Sequence, residues 1–250
     1  MDLRNKVCLV TGGTSGIGAA AAKILVCRGA HVVTISRRGY SEKHHELLAL
    51  GEKRGARILS LVGDVADPTA CRNSVDRVIQ EFGRLDALVH AAGGAVPGEL
   101  REVTEQDWMK AFAVHVHSIF HLARAVAPHM AQQGEGAIVL LGSAAGLRGC
   151  RGALAYSVAK GALPQFARAL AREIADDGIR VNCVSPGVIR TPFQDYLTPE
   201  QVRNNIEHRI PLRREGKPED VAGLIVTLLE NEFITGENVT IDGGMTMRIV

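Results

Sequence analysis

The chain has 250 residues, 46% of them hydrophobic and 22% charged, with a formal net charge of +2. These values suit a globular protein with a substantial core and give no electrostatic case for nucleic acid as a partner. No run of about 18 apolar residues is present to span a bilayer, the apolar stretch Val7–Val10 is too short for a signal peptide, and no Cys-x-x-Cys links Cys8, Cys27, Cys71, Cys150 and Cys183. An odd, scattered set reads as reduced, mostly buried thiols of a cytoplasmic protein, without structural zinc.

Short apolar runs alternate with helical patterns along the chain. Lys6–Val10 reads as a first strand and 16–28 as a helix. His31–Ile35 is a second strand, 41–54 helical, Arg57–Val62 a third strand and 68–82 helical. Within the first of these helices Glu42, Lys43, His44, His45 and Glu46 read as a solvated start. Leu85–His90 is a fourth strand. A long helix over Thr104–Gln133 opens with a capping box of Thr104 and Asp107, and Trp108 on it reads as packing. Ala137–Leu141, a helix over 153–176, Arg180–Val184 and Asn238–Ile241 complete the series. The alternation predicts βαβ units: an α/β fold with a doubly wound parallel sheet covered on both faces, in one domain over 1–250. Five prolines between Pro186 and Pro218 and a weak periodicity suit a substrate-binding loop or lid at 188–215.

Between the first strand and first helix lies Gly12-Gly-Thr14-Ser15-Gly16-Ile17-Gly18. Glycines allow close backbone approach, and a helix N-terminus offers free N–H groups to a pyrophosphate. The second strand ends in Ser36-Arg37-Arg38 rather than in the carboxylate that would bond a ribose 2′-hydroxyl. A guanidinium fits a 2′-phosphate, so NADP(H) is favoured and NAD(H) left open. Asp64 and Val65 close the third strand, where an adenine amine would sit.

Tyr156 and Lys160 are four residues apart, and Ser143 is thirteen residues before Tyr156. On a helix that spacing stacks phenol and ammonium on one face. A lysine cation favours phenolate and brings a tyrosine toward neutral-pH acid–base work. A stray pair on an amphipathic helix is the plain alternative.

Thr11-Gly12-x-x-x-Gly16-x-Gly18, Asp64, Ala91-Ala92-Gly93, Ser143, Tyr156-x-x-x-Lys160, Arg180-Val-Asn-x-Val-x-Pro186-Gly187, Ile234-Thr-Gly236 and Asp242-Gly-Gly244 occur in one order along nearly the whole chain. Together they resemble a classical short-chain dehydrogenase/reductase, and the length resembles 3-oxoacyl-thioester reductases and related alcohol dehydrogenases. The resemblance implies a seven-stranded Rossmann domain and hydride transfer between a nicotinamide and a carbonyl or secondary alcohol. It implies Tyr156 as acid/base, Lys160 as its partner and ribose ligand, and Ser143 holding the substrate oxygen. Ala92, Gly93, Pro186, Gly187, Ile189 and Thr191 would border the cofactor. A homotetramer, or a homodimer, is implied, with the 104–133 and Tyr156 helices in one interface.

The chain departs from the family in two places. The family's Asn-Asn-Ala-Gly reads His90-Ala91-Ala92-Gly93. His115 stands where the family has a fourth catalytic residue, an asparagine whose backbone carbonyl holds a water linking Lys160 to solvent. Support of that relay, distortion of the helix and an altered pH profile are all open. A nucleotide-sensing or structural protein with little turnover is the rival reading. His117 and His121 have a metal-ligand spacing but no carboxylate to complete a motif, so surface or interface roles are expected. Cys150 and Arg151 fall between Ser143 and Tyr156, in a segment edging the substrate pocket; Arg148 or Arg151 could attract an anionic substrate, and a solvent-exposed loop cation is the expected case. The pair Arg213-Arg214 reads as solvated surface.

Overall fold

A computed structural model describes residues 1–39, 42–195 and 197–247, without the side chains of Glu42 and Lys43. Seven strands, β1 (Val7–Thr11), β2 (His31–Ser36), β3 (Ile58–Val62), β4 (Ala87–His90), β5 (Gly136–Leu141), β6 (Ile179–Pro186) and β7 (Asn238–Ile241), form one parallel sheet in the order β3-β2-β1-β4-β5-β6-β7. The helices are α1 (Gly16–Cys27), α2 (Glu42–Arg54), α3 (Pro68–Phe82), α4 (Glu105–Phe112), α5 (Ser118–Gln133), α6 (Ala144–Arg148), α7 (Leu154–Ile174), α8 (Pro199–Asn204) and α9 (Pro218–Glu230).

The period-two geometry of a strand explains the two cores. In β1, Cys8 and Val10 point to a cluster that includes Leu25 and Val26 of α1 and Ile225 and Leu229 of α9. Val7 and Leu9 point the other way, toward Val75 of α3, Leu122 of α5 and Leu163 of α7. A strand buried on both sides can be apolar at every position, and all five residues of β1 are buried. At the lower edge Asp86 is fully buried, accepting from the Val7 amide at 2.8 Å and from Arg84 Nε and Nη2 at 2.8 and 2.6 Å.

Several expectations are corrected. The helix expected over Thr104–Gln133 is broken in type, because Ala113–His117 between α4 and α5 is a π-turn. Its capping box is present, with Thr104 Oγ1 accepting from the Asp107 amide at 3.1 Å. His44 is not solvated: it is buried beside Ser60 Oγ, which lies 3.1 Å from its ring nitrogens. Position 41, placed in that helix above, lies outside the described residues, as do the side chains of Glu42 and Lys43. Cys8, Cys71 and Cys183 are buried, but Cys27 and Cys150 are exposed. The proline-rich stretch is partly helical, with α8 opened by a Thr198–Gln201 capping box and followed by a π-turn at Asn205–Arg209. Helix α9 is absent from the elements expected above. Pro218 at its start, two acids in its first turn and a buried stripe at Val221, Ala222, Ile225, Val226 and Leu229 account for it.

Candidate active site

The order of the sheet reverses between β1 and β4, and in such sheets ligands bind beyond the carboxyl ends of the strands at that point. The Gly12–Gly18 turn follows β1 there, Ala91-Ala92-Gly93 follows β4, Ser143 follows β5 and Pro186-Gly187 closes β6. All of them line one open cavity of about 1640 Å³, together with Tyr156 and Lys160 of α7, His115, Ile189 and Thr191. Ser15, Gly16, Ile17 and Gly18 carry the N-terminal end of α1 into the same space. No side chain caps that end and no acid occupies its first turn. Its amides and partial positive charge suit a phosphate group.

Thr14, Ser36, Arg37, Arg38, Asp64 and Val65 do not line this cavity. Ser36 to Arg38 instead stand at the end of β2, and Asp64 and Val65 just beyond β3. Arg37 and Arg38 are exposed. Ser36 Oγ is buried with no hydrogen-bond partner, an unmet polar group where a dinucleotide's ribose would pass. Asp64 is turned to its own loop and accepts from the Ala66 amide at 3.0 Å. These residues fit a dinucleotide, with cations rather than a carboxylate at the ribose end.

Ser143 caps α6, its Oγ accepting from the Ala145 amide at 3.2 Å. Lys160 is buried, donates to the Leu141 carbonyl at 2.5 Å, and has its Nζ 5.9 Å from the centroid of the Tyr156 ring. Burial pulls the ammonium down from 10.5 to about 8. From pH 8 to 10.5 the unfolded chain therefore keeps a proton that the folded chain has released, and stability rises with pH across that window. Below pH 8 both states are protonated and the burial penalty is fully present. The unfolding free energy of the cofactor-free protein, read from urea curves, should rise from pH 8 to 10 relative to Lys160→Met, by on the order of 2–3 kcal/mol at most. Parallel curves for the two proteins would remove this assignment.

His115 sits in the π-turn, buried, with Nε2 3.0 Å from the Gly94 carbonyl and its ring edge-on to Tyr156 at 5.4 Å. Nε2 must carry the proton, since a carbonyl only accepts. Nδ1 is then a lone pair, and it has no partner. Burial first, and the Lys160 cation second, hold this imidazole well below its usual range, so it is neutral. The ring packs against Gly93, where a Cβ would lie 2.7 Å from Cε1.

The other departure from the family, at His90, forms a buried chain of hydrogen bonds. The Ala92 amide donates to Thr11 Oγ1 at 2.9 Å, Thr11 Oγ1 is 3.0 Å from His90 Nδ1, His90 Nε2 is 3.0 Å from Ser118 Oγ, and Ser118 Oγ donates to the Val114 carbonyl at 2.6 Å. With Ser118's proton committed to Val114, His90 donates from Nε2 and accepts at Nδ1 from Thr11. Burial pushes His90 down to about 3, which keeps that tautomer neutral. The chain ties the end of β1 and the β4 loop to the π-turn beside Tyr156.

His117 and His121 keep company with Phe112 and Phe120, at 6.3 and 5.3 Å between rings. Among the described residues no third His, Cys, Asp or Glu joins them. Trp108 packs on Phe112 at 5.1 Å, as expected. Arg148 and Arg151 are exposed, yet both line the cavity rather than open solvent alone. Missing from the expected set are Phe193, whose ring is 5.8 Å from that of Tyr156, and Arg209, Arg213, Met245 and Met247 on the cavity wall. Only Phe193 had a local signal, an aromatic directly after Thr191-Pro192.

A nucleotide-ready cleft with a Ser, a Tyr and a buried Lys at its centre defines an oxidoreductase of the dinucleotide-binding α/β class. A family model described as enoyl-(acyl carrier protein) reductase matches residues 12–246, and the chain belongs to the short-chain dehydrogenase/reductase family. A 3-oxoacyl-(acyl-carrier-protein) reductase of Thermotoga maritima is 36% identical over 251 residues, covering 99% of this chain and 100% of that protein. The corresponding reductase of Escherichia coli is 34% identical over 249 residues, with the same coverage. The L-sorbose reductase of Gluconobacter frateurii, solved with NADPH and L-sorbose, superposes with a TM-score of 0.91 at 32% identity over the full length of both chains.

Proposed function

We propose that this protein is an NADPH-preferring reductase of ketones, 3-oxoacyl thioesters among them, and that Ser143, Tyr156 and Lys160 carry the reaction. The observation that carries this reading is the convergence of those three side chains, with the open end of α1, on one cavity. NADPH, when bound, supplies the hydride. Ser143 and Tyr156 hold the carbonyl oxygen, and Tyr156 gives its proton to that oxygen as the alcohol forms. Lys160 keeps a positive charge beside the phenol and reaches the nicotinamide ribose, while Gly187, Ile189 and Thr191 wall the nicotinamide. His115 packs the far edge of Tyr156 and acts as a positioning residue. Ser36, Arg37 and Arg38 take the 2′-phosphate, and Asp64 and Val65 border the adenine. The sorbose reductase bears on the cofactor choice because it was solved with NADPH.

The 188–215 segment acts as the substrate lid of a single domain. The protein works in the cytoplasm as a homotetramer or homodimer. Exposed Met109, Phe120 and Val158 on α4, α5 and α7 support an interface there.

A panel of ketones, 3-oxoacyl thioesters and their alcohols, run with NADPH and with NADH, tests this reading. Turnover with a higher kcat/KM for NADPH is expected. Cofactor binding without reduction of any panel member would favour the sensor reading instead. Arg37→Ala should weaken NADPH about 10- to 100-fold, the worth of a charged hydrogen bond, and barely change NADH. Equal losses for both cofactors would take the phosphate away from Arg37.

A further inference from the structure

The cavity of about 1640 Å³ has a cationic part to its lining. Arg148, Arg151, Arg209 and Arg213 line it, with Glu207 as the only carboxylate among the described lining residues. Arg151 is committed to Glu99 at 2.7 Å. The other three guanidinium groups have no carboxylate partner among the described residues. Arg148 Nε donates to the Thr246 carbonyl at 3.2 Å, and Arg209 Nη1 donates to Oδ1 of the buried Asn205 at 2.7 Å. Each spends one donor on a neutral oxygen and keeps its charge and its remaining donors.

Two of these arginines share one support. The turn over 242–247 is pinned by Asp242, whose two oxygens accept from the Gly244 and Thr246 amides at 2.8 and 2.7 Å. Its Thr246 carbonyl holds Arg148, and its Gly243 carbonyl accepts from the Leu212 amide at 3.1 Å, next to Arg213. Arg213 itself is left-handed, with φ of 55°, a conformation rare for a long side chain. Its backbone is held there by a bond from its amide to the Ile210 carbonyl at 2.9 Å. Arg148, Arg209 and Arg213 are exposed, so an entering anion can reach them. In the proposed reading the phosphates of the cofactor go elsewhere, to the open end of α1 and the end of β2.

We infer that the substrate carbonyl compound carries an anionic group, a carboxylate or a phosphate, which Arg148, Arg209 and Arg213 receive from the cavity lining. This rests on the ketone-reductase reading and adds the substrate's charge to it. Cations lining a cleft raise the local concentration of an anion and favour its entry. A guanidinium fork fits carboxylate and phosphate alike.

Matched pairs test it. Keto acids of increasing chain length are compared with their methyl esters, and acetoacetyl-coenzyme A with the uncharged acetoacetyl-N-acetylcysteamine thioester. The anionic member should have a kcat/KM about tenfold or more above its neutral partner, equivalent to one charged hydrogen bond. That ratio should shrink as salt is raised. Preference confined to keto acids identifies a carboxylate, and preference confined to the coenzyme A thioester identifies phosphate. Arg213→Ala should bring the anionic-to-neutral ratio toward one, and Arg213→Lys should keep part of it. Equal turnover of both members, or equal losses for both in Arg213→Ala, overturns the inference and leaves the reductase reading standing. If neither member is reduced, the reductase reading falls. Quenching of bound NADPH fluorescence by a keto acid, lost in Arg213→Ala, would then support the anion site alone. Absence of such quenching would overturn both.

Discussion

Tyr156→Phe should lower kcat for ketone reduction by about 10²- to 10⁴-fold, the usual worth of a positioned general acid, while NADPH binds within about threefold of wild type. The substitution removes only the hydroxyl. The ring would still meet His115 edge-on at 5.4 Å and Phe193 at 5.8 Å, so the wall of the cavity stays in place. The main holds proposed for the cofactor, the amides of α1 and the loops after β4 and β6, would not involve the phenol oxygen. Single-turnover absorbance of the nicotinamide and a fluorescence titration separate the two effects. A loss of NADPH affinity as large as the loss of rate would mean that the hydroxyl serves binding and not proton transfer. Unchanged turnover would remove Tyr156 from the chemistry.

Gly18→Ala should be the most damaging single methyl in the cleft. A Cβ at Gly18 would lie 2.8 Å from the carbonyl carbon of Gly12 and closer still to its oxygen. Both are backbone atoms, so no side chain can swing aside. Either the Gly12–Gly16 turn opens or the first turn of α1 backs away. Each moves the helix end proposed to hold the pyrophosphate. Overpacking of this kind costs about 1–3 kcal/mol of stability. Dinucleotide affinity should drop by about 100-fold or more, the effect of losing two charge-assisted bonds. Calorimetric titration with NADPH and NADH reads it directly, and both should suffer alike, unlike Arg37→Ala. Retained affinity for either would show that the turn yields without moving α1.

What was legible in the sequence is what short-range chemistry dictates. The glycine turn, Ser143, Tyr156 and Lys160 each lie at an element boundary or on a helical repeat, so order along the chain placed them correctly around one sheet edge. The strands were legible because a doubly covered sheet tolerates apolar residues at every position. The π-turn was not, since no residue type in Ala113–His117 marks the one turn that takes an extra residue. His44 was misread because its neighbours on α2 are charged, while its burial is decided by Ser60 on a different element. Arg148, through its side-chain bond to the Thr246 carbonyl, and Arg213, through the bond of its neighbour Leu212's amide to the Gly243 carbonyl, are brought to one turn by long-range contacts, which no local spacing encodes. Helix α9 is different in kind. Its proline, first-turn acids and apolar stripe are all readable.

The π-turn over Ala113–His117 fixes the phase between the two halves of a long rod. A π-turn takes an extra residue into one widened turn, and each residue of an α-helix turns the chain by about 100°, so winding the same residues as plain α-helix would rotate α4 by roughly that angle against α5. Trp108, Ala111 and Phe112 of α4 pack with Ala155, Tyr156 and Ala159 of α7, and that rotation would carry them away from it. The helix therefore cannot be regularised at its present length without unseating the phenol from its neighbours.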